Sequence, residues 1–242
     1  MIILYRIYQI CIAIPVLLVV TILAATVTIL GSMLGMSRSM GYWPGHIWAR
    51  IFCIMSLVRV KVEGRENISR NTSYVFVANH QGAFDIFSIY GYLGHNFRWM
   101  MKKSLEKIPL VGYSCRVSGH IYVDNSTPSR TRETMATAEK QLSGGMSVVV
   151  FPEGARTKDG SMHPFRRGAF QLAMEFGLPV VPVTIDGAYR IMRRGAILPR
   201  YGTIRLTIHK PIYAPEGGRH ELSSLMQKSY EAVASALPGS LS

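Results

Sequence analysis

The sequence predicts an α/β fold: a mostly parallel or mixed central sheet flanked by helices, led by an N-terminal apolar helical segment. Three observations predict it. From residue 57 onward short β-type runs alternate with helical stretches, the order expected of a sheet covered by helices. Ahead of them, no charged side chain occurs between Arg6 and Arg38. A chain of 242 residues is long enough for one good-sized core plus a short appendage.

Taken in order, "ICIAIPVLLVVTILAATVTIL" has the apolar length, roughly 20 residues, needed to cross a hydrocarbon core. It exceeds a signal-peptide h-region and ends in no A-x-A site, so it is expected to stay on the chain. "GYWPGHIWARIFCIMSLV" is apolar and aromatic but broken by Pro44 and Arg50. It suits a helix lying at a membrane interface, with a core helix of the following domain as the alternative. "VRVKVEG" alternates apolar and polar residues like an edge or half-buried strand, whereas "SYVFVAN", "MSVVVFPEG" and "LPVVPVTIDG" are continuous runs suited to a covered sheet. Pro182 in the last of these points to an edge or a bulge. Helices are predicted over 83–93, over 128–143 and over 164–176. The second has Thr127 as N-cap, Pro128 at its first position and Gly144 as its stop. "RLTIHKPI" supplies a late strand, Pro215 to Gly218 a turn, and 218–236 a last helix with Leu222, Leu225, Met226, Tyr230 and Val233 on one face. The division expected is 1–56 for membrane-anchoring helices and 57–242 for a catalytic domain.

Charge narrows the partners. Lys and Arg number 27 against 14 Asp and Glu, a formal charge of +13, which favours nucleic acid, a membrane surface or phosphorylated substrates. Nucleic acid is disfavoured by the lack of any RNP-like, KH or helix-turn-helix signature. Arg38, Arg50, Arg59 and Lys61 follow the apolar run, which places residues 59–242 on the cytoplasmic side. Cys11, Cys53 and Cys115 are too scattered for a disulfide framework, and the seven histidines include no zinc spacing, so no metal is expected.

Ligands in such a fold meet the loops after the carboxyl ends of strands, and two of these are chemically loaded. "NHQGAFD" follows "SYVFVA", and "FPEGART" follows "MSVVV". His80 and Asp85 make an HxxxxD arrangement. Alone, the pair also suits a loop histidine beside a first-turn helix carboxylate. With "KKSLEKIPLVG", "FPEGART" and "VPV" at 181–183 in this order, the chain resembles the glycerolipid acyltransferases, specifically bacterial 1-acylglycerol-3-phosphate acyltransferases, over roughly 57–215.

Moving an acyl group from a thioester to an alcohol needs a base for the hydroxyl proton, and imidazole has a pKa close to working pH. His80 is the candidate base. Asp85 can accept from the other ring nitrogen and fix the tautomer. There is no GxSxG elbow, in keeping with the direct transfer that the resemblance implies. Pro152 and Gly154 suit a tight turn whose amides can meet an anion, and Arg156 brings a fork of donors matched to phosphate. The resemblance implies Arg156 on the substrate phosphate and Glu153 on the glycerol or in the loop's architecture. Lys103, with Lys102 beside it, is the further candidate for the phosphate. Ala155 stands where the family usually has Thr, Ser104 where it has Glu, and Asn125 and Ser126 where it has an Arg that Arg130 or Arg132 would replace.

The resemblance therefore implies transfer from acyl-CoA or acyl-carrier protein, as substrate and with no cofactor, to the sn-2 hydroxyl of lysophosphatidic acid, giving phosphatidic acid at the cell inner membrane. Two rivals are acylation of another lysolipid, such as a lyso-aminolipid, and a non-enzymatic module for anionic membranes. "YRIMRRGAILPR" sets Arg190, Arg193, Arg194 and Arg200 beside apolar residues, a mixture suited to anionic headgroups.

Overall fold

The computed structural model describes residues 2–124, 126–143, 145–213 and 219–238. Its seven strands are β1 (Val58–Glu63), β2 (Val75–Ala78), β3 (Phe97–Lys102), β4 (Ile121–Val123), β5 (Ser147–Val150), β6 (Val180–Asp186) and β7 (Gly202–Ile208). They form one sheet in the order β1-β7-β6-β2-β5-β3-β4, every neighbouring pair parallel except β6 and β7. The sheet is therefore mixed and largely parallel, as the alternation of elements predicts.

Ten helices accompany it among the described residues: α1 (Ile2–Tyr8), α2 (Ile14–Gly31), α3 (Ser37–Met40), α4 (Trp43–Met55), α5 (Phe84–Tyr92), α6 (Val111–Val117), α7 (Pro128–Ser143), α8 (Gly168–Glu175), α9 (Ala188–Met192) and α10 (Arg219–Ser235). The pleat of β2 shows how they divide. Phe76 and Ala78 join one core layer with Ala49 and Cys53 of α4, Ile89 of α5 and Ile191 of α9. Val75 and Val77 join the other, with Ala138 of α7, Phe170 of α8, and Leu225 and Val233 of α10. Leu222, Met226 and Tyr230 complete the apolar face of α10 as its spacing predicts.

β1 is an edge strand that buries its first residue and alternates thereafter, while β2 is buried throughout. Pro182 is not at an edge, because β6 lies between β2 and β7. The antiparallel register slips by one at this proline, from Val183 opposite Ile208 to Val180 opposite Ile212. The carbonyl of Pro182 accepts from the His209 N–H, so its missing donor faces this bulge and the ladder to β2 is untouched. The helix expected from 164 begins only at Gly168. Phe165 is instead drawn into the core, and the Arg166 N–H donates to the Pro152 carbonyl at 2.9 Å. Thr127 does cap α7, its Oγ1 accepting from the Arg130 N–H at 3.2 Å. The Gly144 stop, the Pro215 to Gly218 turn and Asn125 lie outside the described residues.

Residues Ile2–Met40 form a long helical run that breaks at Gly35 (φ +82°), after which the short α3 follows. It widens at Gln9–Ala13, just before Pro15, whose ring and missing N–H disturb the preceding turn. Its middle exposes Leu18, Val19, Leu23 and Val27. Both ends touch the globular body: Tyr5 donates from its hydroxyl to the Ser56 carbonyl, and Arg98 donates to the Ser37 carbonyl. Helix α4 realises both readings of its sequence. Ala49 and Cys53 are fully buried, while Trp43, Ile47 and Ile54 are exposed. A division at 56/57 thus passes through a shared core.

Candidate active site

β2 and β5 are adjacent and parallel, so the loops leaving their carboxyl ends meet. Asn79 fixes the first loop at its root. Its side-chain amide donates to the Ile185 carbonyl at 2.9 Å, and its Oδ1 accepts from the Ile185 N–H at 2.8 Å. The next residue is His80. Its N–H donates to Glu153 Oε1 at 2.6 Å, and its carbonyl accepts from the Thr157 N–H at 2.9 Å. Both hydrogen bonds come from the β5 loop, so one loop holds the other.

The ring of His80 lies flat on Phe151, with centroids 4.0 Å apart and planes 8° from parallel. Nδ1 donates to Asp85 Oδ2 at 2.7 Å, and the same oxygen accepts from the Gly82 N–H at 2.8 Å. The Asp85 side chain is 0% exposed and that of His80 15%. Burial pushes the Asp85 carboxyl up, and the hydrogen bonds from His80 and Gly82 pull it back. Nε2 of His80 has no protein partner among the described residues, which leaves a lone pair for an incoming hydroxyl. Gly82 is required by close approach: a Cβ there would come within 2.5 Å of the Met192 carbonyl oxygen.

Glu153 spends both oxygens on backbone, Oε1 on His80 and Oε2 on the His163 N–H at 2.8 Å. Burial raises its carboxyl, against the two N–H groups that favour the anion. Gly154 turns the loop at φ +77°, a conformation open to glycine, and the Arg166 guanidinium lies against it, 2.8 Å from where a Cβ would stand. Arg156 is half-buried, with no hydrogen bond or ion pair to another side chain among the described residues. A cleft of ≈330 Å³ opens beside Gln81 and runs past Gly187, Tyr189 and Tyr230.

Lys103 has its contacts on the β3–β4 side of the sheet. It pairs with Glu106 at 2.6 Å and lies over the Tyr122 ring, whereas Lys102 at the end of β3 is exposed and makes no such pair. Arg130 pairs with Glu133 at 3.0 Å on the surface of α7. Phe151, Asn79 and Arg166 are the site residues that motif reading passes over. Asn79 and Phe151 open the two loaded stretches "NHQGAFD" and "FPEGART", and Arg166 lies in "FRRG" shortly after the phosphate-suited turn. Among the described residues no group of His, Cys, Asp and Glu is arranged to hold a metal.

A covered α/β sheet that brings a carboxylate-bonded histidine and arginines to two adjacent strand ends is an arrangement suited to group transfer. The chain belongs to the acyltransferase family, whose sequence profile matches residues 59–186. It is 34% identical to a chloroplastic 1-acyl-sn-glycerol-3-phosphate acyltransferase of Brassica napus over 73% of this chain and 51% of that one. It is 27% identical to a 1-acyl-sn-glycerol-3-phosphate acyltransferase of Saccharomyces cerevisiae over 87% of this chain and 70% of that one. The crystal structure of the 1-acyl-sn-glycerophosphate (LPA) acyltransferase, PlsC, from Thermotoga maritima matches with a TM-score of 0.78 at 26% identity, covering 96% of this chain and 92% of that one. The chain spans about half the length of the chloroplastic relatives it matches.

Proposed function

We propose that the chain transfers an acyl group from acyl-CoA or acyl-carrier protein to the sn-2 hydroxyl of 1-acyl-glycerol-3-phosphate, giving phosphatidic acid. The observation that carries this reading is the 2.7 Å bond from His80 to buried Asp85, with Nε2 free. Nε2 takes the hydroxyl proton as the alcohol oxygen attacks the thioester carbonyl. The imidazolium so formed is stabilised by Asp85, and its proton leaves with the thiolate as the tetrahedral intermediate collapses. Phe151 and the two backbone bonds keep the ring from swinging away, which holds the base in one attack geometry. Arg156 binds the acceptor phosphate, because it is a half-buried guanidinium with no carboxylate paired to it among the described residues. Glu153 is a strut of the site, since its oxygens are already engaged. Lys103, paired on the surface with Glu106, and the exposed Lys102 beside it are the further candidates for the phosphate.

The apolar surface of Ile2–Met40 and the exposed Trp43, Ile47 and Ile54 of α4 support attachment to a membrane. Because the apolar helix is tied to the body near Tyr5 and at Thr21, and the chain returns to it at Ser37 just past the kink at Gly35, the reading is that it lies embedded along one leaflet, with the site at the cytoplasmic face of the inner membrane. The test is to incubate purified protein with both donors and a panel of lysophosphatidic acid, a lyso-aminolipid and a phosphate-free analogue, then to identify products by mass spectrometry. Acylation of the phosphate-free analogue as fast as of lysophosphatidic acid would overturn the assignment.

A further inference from the structure

The N-terminal helix and the connection from α9 to β7 meet at Pro199 and build a second basic cleft. Arg6 of α1 donates to the Pro199 carbonyl at 3.0 Å, and buried Gln9 donates to the same oxygen at 2.9 Å. Tyr5 packs edge-on against Tyr201, with ring centroids 5.4 Å apart. These contacts close a cleft of ≈420 Å³ whose lining includes Arg6, Arg190, Arg193, Arg200, Tyr189 and Leu198. Four arginines thus line one space, and no carboxylate lines it among the described residues. Arg190 is bonded to Asp186 at 3.2 Å, while neither Arg193 nor Arg200 has an acidic partner among the described residues.

The surroundings of the cleft are apolar and exposed. Ile197 is 90% exposed on the loop that carries the arginines, and Ile2, Ile3, Leu4 and Ile7 are exposed on the helix that carries Arg6. Water is a poor environment for such a rim, and a bilayer supplies both of its requirements. Acyl chains cover the isoleucines, and the phosphate layer just above meets the arginines. An arginine fork also matches phosphate oxygens better than a point charge does. Tyr189 and Arg190 line this cleft and the one beside Gln81 as well, so an occupant would lie close to the reacting loop without touching His80.

We infer that the cleft among Arg6, Arg190, Arg193 and Arg200 is a binding site for the phosphate headgroup of an anionic bilayer phospholipid, separate from the reacting site, that docks the protein at a fixed depth. This rests on the membrane attachment above and is independent of the transfer chemistry.

The experiment measures binding of the full chain to vesicles of phosphatidylcholine, with and without phosphatidylglycerol, by flotation. Each neutralised arginine should weaken attachment to the anionic vesicles about fivefold, so Arg193→Gln with Arg200→Gln should lower the anionic preference about 25-fold. Binding to neutral vesicles should be unchanged. Arg132→Gln with Lys228→Gln, an equal charge change on exposed helix surfaces elsewhere, should lower the preference less than about fivefold. Equal losses in the two double variants would show a diffuse charge effect and overturn the site. Inorganic phosphate, added at the ionic strength of a sodium chloride control, should not compete. Competition would make the ligand free phosphate and overturn the lipid assignment. Wild-type protein that floats with neither vesicle would remove the attachment itself, and the site with it.

Discussion

Glu153 joins His80 to His163: one carboxylate oxygen accepts the His80 N–H at 2.6 Å and the other the His163 N–H at 2.8 Å. A carboxylate whose two oxygens hold two backbone segments acts on the shape of the site. Glu153→Gln keeps one acceptor and turns an NH₂ group toward the other N–H. The expected result is a loss of about 1.5–3 kcal/mol in urea unfolding, with kcat falling more than acceptor KM changes. Unchanged unfolding with a raised acceptor KM would instead make Glu153 a substrate ligand.

His80→Ala should lower turnover roughly 100- to 10,000-fold with substrate binding retained, because a positioned general base contributes about that much. Asp85→Asn should also lower turnover severely, since the amide has no charge to stabilise the imidazolium and an NH₂ turned toward Nδ1 would favour the wrong tautomer. The check is kcat in proteins shown to be folded by circular dichroism. Near-normal turnover in His80→Ala would remove the base assignment.

Arg156→Ala should leave donor binding intact and lower acceptor kcat/KM roughly 10- to 150-fold, the equivalent of about 1.5–3 kcal/mol for a hydrogen bond to a charged group. Arg156→Lys should recover only part of this, having lost the two-pronged geometry. A phosphate-free acceptor should be indifferent to both changes. An equal loss for both acceptors would move the phosphate to Lys102 or Arg166.

What the sequence makes legible here is what is local. His80 and Asp85 are five residues apart at a strand-to-helix turn, so a motif captures their bond, and runs such as "SYVFVA" and "MSVVV" show buried strands by composition alone. β3 escapes the same reading because "FRWMMK" carries Arg98 inward. Its charge is tolerated since the guanidinium donates to the Ser37 and Arg38 carbonyls and to that of Phe97. Those main partners lie about sixty residues earlier, beyond any window of pattern. Glu153 and Phe151 act on His80 from about seventy residues away for the same reason. Lys103 is the converse case: Glu106, three residues on, already marks it as a candidate for a local ion pair.

His120 gives the acid limb of stability. It is buried against Tyr90, its Nδ1 accepts from the Trp99 N–H at 3.1 Å, and burial, aided by the Arg98 charge, pushes its pKa down to about 3. The unfolded chain therefore binds a proton below about pH 6.5 that the folded chain refuses until about pH 3. This contribution is fully present above pH 6.5 and is lost as pH falls, by about 2 kcal/mol between pH 7 and 5. The raised carboxyls of Asp85 and Glu153 act in the opposite sense, so the comparison is between proteins. His120→Asn, whose Oδ1 can replace Nδ1 as acceptor, should be less stable at pH 7 yet lose less on acidification. Parallel pH slopes for the two proteins would assign the acid sensitivity elsewhere.

Truncation separates anchoring from folding. Removing residues 1–36 strips the exposed apolar helix but leaves α4 against α5 and the sheet, so the remaining chain should fold and detach from vesicles. Removing residues 1–56 also takes Tyr42, Ala49 and Cys53 out of the core layer shared with Phe76, Ile89 and Phe97. Burying a large apolar side chain contributes about 1.5–3 kcal/mol, and deleting a whole helix face removes several such contributions at once. Against a total stability of about 5–15 kcal/mol, that loss is enough to unfold the domain. Circular dichroism melts and vesicle sedimentation of the two truncations give the comparison. The shorter deletion should melt cooperatively and stay in the supernatant, and the longer should show no cooperative transition. A cooperative melt after removing 1–56 would mean that α4 is an anchor resting on the core, with its buried face dispensable to the fold.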